Sequence, residues 1–203
     1  MKIFCIGRNY ADHVKELGNG LPDEPVIFMK PKSALVQGHT PFYYPEFTNE
    51  LHYEAELVVR ISKNGKYIQE KHAANYYNAI TLGIDFTARD IQTKLKEHGL
   101  PWEKAKSFDN SAAVGKFIEI GPGIDKKNIN FSFAKNKEVV QKDNSKSMIF
   151  SIDQIIANIS NYFSLNIGDL VFTGTPSGVG ECIVGDHLEG YFEKELVLSL
   201  EVK

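Results

Sequence analysis

The chain has 203 residues, 42% of them hydrophobic, and a formal net charge of −3. That length suits one domain over 1–203 with a sizeable core, and the slightly acidic balance excludes the electrostatic footprint of a nucleic-acid binder or of a protein drawn to anionic membranes. Two cysteines, Cys5 and Cys182, show neither CxxC nor His–Cys spacing, so a disulfide framework and a thiolate zinc site are set aside and a reducing compartment, by default the cytoplasm, is expected.

The opening MKIFCIGRNYADH has too short an apolar run for a signal peptide, and no run reaches the roughly 18 apolar residues of a membrane span. Strand patterns occupy 2–6, 25–30, 51–61, 80–86, 114–120, 128–133, 169–173 and 195–202. In the last, alternation puts Leu196, Leu198, Leu200 and Val202 on one face. Asn64-Gly65 reads as a two-residue hairpin turn, which predicts a partner strand near 66–69. Helices are predicted over 9–17 (NYADHVKEL, stopped by Gly18), 87–98 (ended by Gly99 and Pro101) and 152–163. The third has an apolar stripe of Ile152, Ile155, Ile156, Ile159 and Phe163, and Ser151 with Gln154 reads as a capping box. Strands do not alternate regularly with helices, so the class is β-rich α+β, not a doubly wound parallel sheet.

HYEAELVV, 52–59, carries the most chemistry. Residues two apart share a strand face, so Leu51, Tyr53, Ala55, Leu57 and Val59 line one side while Glu54 and Glu56 stand together on the other, about 7 Å apart. The face is either simply wet, or both carboxylates point at a cation. In GIDFTARDIQ, 83–92, Asp85 falls where a strand ends and a helix begins. There Asp85 or Thr87 caps the helix, or Asp85 adds a third carboxylate. Arg89 and Gln92 lie three apart on the new helix and share its face. Three carboxylates without a soft ligand suit a hard ion, Mg²⁺ or Mn²⁺, with Ca²⁺ able to substitute. Arg8, Lys30, Arg89 and Lys106 sit at segment edges as surface charges, or as a group if the fold makes them converge. His13 and Glu16 lie three apart on the first helix, an exposed pair or a carboxylate-oriented base. GDLVFTGTPSGVG, 168–180, lacks the ending of a P-loop. Gly174, Gly178 and Thr175 form a tight turn, or a loop able to hold an oxygen through its amides.

GRNYADHVKELG, PVIFMKPKSALV, HYEAELVV, GIDFTARDIQ, GLPWEKAKSFD, SMIFSI and GDLVFTGTPSGVG, in this order over essentially the whole chain, resemble the fumarylacetoacetate hydrolase family, in its short acylpyruvase and oxaloacetate decarboxylase-like branch. The resemblance implies a mixed β-roll with peripheral helices, usually a homodimer. It matches Glu54, Glu56 and Asp85 to a Mg²⁺ or Mn²⁺ ligand set, and His13 and Glu16 to a water-activating pair. Lys106 matches a lysine near the ion and the substrate oxyanion. Arg8, Lys30, Arg89, Gln92 and Thr175 match positions lining the substrate pocket. The chain departs at 135–138, KNKE, where relatives often carry an Asn-Gly hairpin. The activity implied is hydrolysis of the carbon–carbon bond of acylpyruvates, with oxaloacetate decarboxylation or keto–enol isomerisation of a small keto acid as alternatives. A non-catalytic ion-binding module is a further alternative, against which the His13–Glu16 pair argues.

Overall fold

The structure, a computed structural model, describes residues 1–16, 18, 20–36, 41–121 and 123–203. The strands are β1 (Ile3–Gly7), β2 (Val26–Lys30), β3 (Leu51–Tyr53), β4 (Ala55–Ile61), β5 (Tyr77–Asp85), β6 (Thr87–Ala88), β7 (Ala112–Val114), β8 (Ile118–Glu119), β9 (Asn130–Lys135), β10 (Glu138–Asn144), β11 (Leu170–Phe172), β12 (Gly180–Glu181), β13 (His187–Phe192) and β14 (Glu195–Glu201). The helices are α1 (Ala11–Glu16), α2 (Glu70–Ala73), α3 (Arg89–Glu97), α4 (Glu103–Lys106) and α5 (Ile152–Tyr162). No helix among the described residues is long and apolar enough to cross a membrane.

A mixed sheet runs in the order β2-β1-β11-β4-β5-β7, with β8 also pairing β5. Among the strands of this sheet in the described residues, β1 and β11 alone pair in parallel. A second sheet runs β10-β9-β13-β14, and a small third one β12-β3-β6. This is the β-rich α+β roll expected from the sequence. Central β4 shows why its pattern is nearly all apolar. Ala55, Leu57, Val59 and Ile61 enter the main core, while Val58 joins Ile3, Cys5, Leu170 and Phe172 on the opposite face. A strand covered on both sides requires apolar residues on both. α5 closes the core with Ile152, Ile155, Ile156 and Ile159, and its capping box is formed by Ser151 and Gln154.

Four local expectations are corrected. The predicted strand 51–61 breaks at Glu54, and the strand ending near Asp85 breaks just after it. Past these breaks β3 and β6 leave the large sheet together and pair in the small one. Residues 66–69 form no strand, and β4 pairs with β5 and β11 instead. Gly65 is there for close approach: a Cβ would lie 2.4 Å from the Tyr76 ring. The face predicted for 195–202 is broken by a bulge. Gly190 opposes Leu198 while Tyr191 opposes Leu196, which skips Val197. One extra residue reverses the alternation before it, so Val197 is buried and Leu196 exposed. Finally, α3 starts at Arg89 with no side-chain cap, so neither Asp85 nor Thr87 is its cap. The predicted first helix holds over 11–16, and Leu17 lies outside the described residues.

Candidate active site

The two strand breaks build the site. Glu54 sits between β3 and β4, Glu56 one pleat on, and Asp85 at the end of β5, whose backbone N–H donates to the Glu54 carbonyl at 2.8 Å. All three side chains are buried, with one carboxylate oxygen from each lying within 4.8 Å of the others. The wet-face alternative is therefore excluded. Like charges this close in a buried site need cations.

The chain supplies some of them. Lys106 Nζ donates to Glu54 Oε2 (2.8 Å), Asp85 Oδ2 (2.8 Å) and Thr87 Oγ1 (2.6 Å). Arg89 donates through Nη2 to Glu54 Oε1, through Nη1 to Gln92 Oε1, and through Nε to His52 Nδ1 at 3.3 Å. Lys30 Nζ stands 2.7 Å from Asp85 Oδ1, with the Phe86, Lys106 and Ser111 carbonyls and Ser111 Oγ also within its hydrogen-bond reach. Burial opposes charge on Glu54, but Lys106 and Arg89 outweigh it and hold this carboxyl well below its usual range. Glu56 has only the Gly174 amide at 2.7 Å. Burial, then Asp85 and Glu54, push its carboxyl well above the ordinary value. Three buried carboxylates converge here, and among the described residues Glu56 has no cation of its own, which favours a further cation at the cluster. An all-oxygen trio fits a hard divalent ion.

The loop after β11 closes over these groups. Gly174 has φ +99°, and a Cβ there would lie 2.7 Å from Asn9 Cβ, so only glycine brings the amide to Glu56. Thr175 Oγ1 donates to the Ala55 carbonyl and accepts from Gln141 Nε2, each at 2.9 Å. Gln141 also donates to the Pro176 carbonyl (2.9 Å) and accepts from Ala55 N–H (3.0 Å). It thereby clamps the loop to the Glu54–Glu56 break. Asn9 does similar work for the dyad segment. Its amide donates to the carbonyls of Phe150 (3.0 Å) and Thr173 (2.7 Å) and accepts from Phe150 N–H (2.7 Å). On α1, His13 is 5% exposed, with Nδ1 3.0 Å from Glu16 Oε2. Glu16 Oε1 accepts from the Gly178 amide at 3.1 Å. With a carboxylate on Nδ1, the Nδ1–H tautomer is favoured and Nε2 carries the basic lone pair.

Glu54, Glu56, Asp85, His13, Lys106, Arg8, Arg89, Gln92 and Thr175 line one cavity of about 40 Å³. A larger groove of about 710 Å³, between β14 and residues 113–116, has no such cluster of acids. Lys30 is not among the residues lining the cavity: it is fully buried, with its ammonium 2.7 Å from Asp85 Oδ1 as that carboxylate's counter-charge. Thr175 lines it, but its hydroxyl proton is taken by Ala55. Arg89 lines it with all three nitrogens engaged, whereas the Gln92 amide nitrogen has no acceptor among the described residues. The sequence did not single out Gln141, Asn9, Phe28, Lys96 or Trp102. Only Lys96 carried a legible signal, the continuation of the Arg89–Gln92 stripe four residues on.

Fold and site together define a class, a β-roll enzyme with a buried carboxylate trio and a carboxylate-held histidine facing one cavity. Residues 2–202 match the family model described as fumarylacetoacetate (FAA) hydrolase C-terminal, and the chain belongs to the fumarylacetoacetate hydrolase family. It is 39% identical over 201 residues to the mitochondrial oxaloacetate tautomerase FAHD1 of Bos taurus, covering 99% of this chain and 91% of that protein. It is 40% identical over 193 residues to the oxaloacetate tautomerase YcgM of Escherichia coli K12, covering 95% and 88%. The solved fumarylpyruvate hydrolase of Pseudomonas aeruginosa, in complex with Mn²⁺ and pyruvate, superposes with a TM-score of 0.93 at 35% identity, covering 100% of this chain and 89% of that one.

Proposed function

We propose that the chain catalyses keto–enol interconversion of oxaloacetate or a closely similar 2-oxo acid, with His13 as the base. The observation that carries this reading is the buried His13, held by Glu16 at Nδ1 and lining the same small cavity as the carboxylate trio. Glu54, Glu56 and Asp85 would hold Mg²⁺ or Mn²⁺, whose Lewis acidity offsets negative charge developing on the 2-oxo oxygen. His13 Nε2 takes a proton from C3, and Glu16 stabilises the resulting imidazolium through Nδ1–H. As the C3 electron pair moves to the C2 oxygen, the Gln92 amide is our candidate donor to that oxygen, with the Lys106 ammonium, its three hydrogens engaged, adding positive charge nearby. Protonation of the oxygen completes the enol, and the reverse path gives the keto form.

A second reading, hydrolysis of acylpyruvates, is favoured by the likeness to fumarylpyruvate hydrolase. There His13 would take a proton from water, which attacks the distal carbonyl. The carbon–carbon bond then breaks with its electrons on the pyruvate side. The test follows enol absorbance of oxaloacetate, and separately acetylpyruvate cleavage, in wild type and His13→Ala with Mg²⁺ added. Loss of a general base is worth a factor of about 100 or more. Ketonisation should fall by that much with the ion still bound. A variant within threefold of wild type would remove His13 from the mechanism. Oxaloacetate decarboxylation, which needs no proton taken from water or from C3, should fall less.

A further inference from the structure

Arg89, Gln92 and Lys96 are spaced i, i+3, i+7 on α3 and share one face. The first two are the buried residues of this helix, so its inward stripe is polar. Lys96 lines the same cavity two turns on from Arg89 and stays partly open to solvent. Its Nζ lies 5.9 Å from the centroid of the Trp102 ring, within cation–π reach. Among the described residues no carboxylate stands within 4.0 Å of Lys96 or of Arg8. Arg8 holds φ 61°, a left-handed conformation that side-chain-bearing residues rarely adopt and that clusters at functional sites.

Charge balance gives these two residues a purpose. Lys30, Arg89 and Lys106 pair with Glu54 and Asp85, none of them with Glu56, yet in number they already equal the three carboxylates. Arg8 and Lys96 are surplus, and a divalent ion would add two more positive charges. A singly charged 2-oxo acid leaves most of that excess standing. Burial, then Arg89 and Arg8, lower the pKa of Lys96, so an arriving anion would relieve the strain on its ammonium. We propose that Lys96, together with Arg8, forms the subsite for a second, distal carboxylate of the substrate, and that Lys96 thereby selects 2-oxo dicarboxylic acids over acylpyruvates with an uncharged end.

This inference rests on the proposed function and is tested separately from it. The readout is the ratio of kcat/KM for oxaloacetate to that for acetylpyruvate in wild type, Lys96→Met and Lys96→Arg. A hydrogen bond to a charged group sets the scale of the change, about tenfold or more. The ratio should fall by that factor in Lys96→Met, through KM for oxaloacetate, and stay within about threefold of wild type in Lys96→Arg. An unchanged ratio in Lys96→Met overturns the subsite, as does an equal loss in both variants. If wild type turns over neither substrate, the proposed function fails. The subsite is then read by calorimetry on Mg²⁺-loaded protein. Oxaloacetate should bind more tightly than 2-oxobutyrate, and Lys96→Met should erase that preference. A preference equal in wild type and variant, or absent from both, overturns the subsite.

Discussion

Replacing Glu56 with glutamine removes one charge from the trio while preserving its size and an oxygen for the Gly174 amide. The carboxylate oxygens lie within 4.8 Å of one another. Two unit charges at that separation repel by about 3 kcal/mol at an effective dielectric near 20, before Lys106 and Lys30 reduce it. Without a divalent ion the substitution should therefore leave the protein as stable or raise its melting temperature by up to roughly 5 °C. With ion the order reverses. A ligand at a hundred times its Kd stabilises wild type by about 2.7 kcal/mol, or roughly 5–10 °C for a chain of this size. The variant, short of one ligand charge, should gain little. The sign with pH follows from the raised folded-state pKa of Glu56. A folded carboxyl that keeps its proton longer contributes stability below the ordinary carboxyl pKa and loses it as pH rises toward the folded value. Ion-free wild type should lose that contribution above about pH 4.3, and Glu56→Gln should not. Binding of the ion displaces the proton, so its affinity should rise with pH. Melting curves with chelator and with Mg²⁺ or Mn²⁺, across pH, measure all of this. An ion-induced shift in Glu56→Gln equal to that of wild type, or a marked loss of stability in chelator, would refute the reasoning.

Gln141→Leu should lower the melting temperature by roughly 5–10 °C. It leaves the Ala55 N–H and the Pro176 carbonyl buried without partners, at about 1–3 kcal/mol each. Calorimetry checks it, and a shift under about 2 °C would contradict the clamp. Lys137→Gly should raise stability by up to about 1 kcal/mol. Asn136 (φ 54°) and Lys137 (φ 71°) both hold the left-handed conformation of a type I′ hairpin turn, where glycine is favoured at the second position. Urea denaturation with an unchanged m-value measures it, and a loss of stability would contradict the turn assignment.

Much of the site was legible because period-two spacing puts Glu54 and Glu56 on one face wherever the strand runs. The position of Asp85 at a strand-to-helix junction was likewise local. The Ser151 cap and the isoleucine stripe of α5 were legible for the same reason. What escaped depends on partners far away in sequence. The breaks at Glu54 and after Asp85 exist because β3 and β6 find a different sheet from β4 and β5. The bulge at Val197 changes which leucines are buried without leaving a mark in the alternating pattern. Gly65 carries a turn-like dipeptide but serves the approach of Tyr76. Lys30 matched a pocket position by family likeness, yet it is fully buried against Asp85 and is not among the cavity-lining residues. Gln141 and Asn9 look like ordinary polar residues until the fold buries them against backbone groups of the site loops.

The carboxylate trio is tested most directly by anomalous diffraction from crystals soaked in Mn²⁺. One strong peak should lie within about 2.3 Å of an oxygen from each of Glu54, Glu56 and Asp85, and it should vanish in Glu56→Gln. A peak elsewhere on the protein with this cluster empty, or one that persists unchanged in the variant, would contradict the assignment.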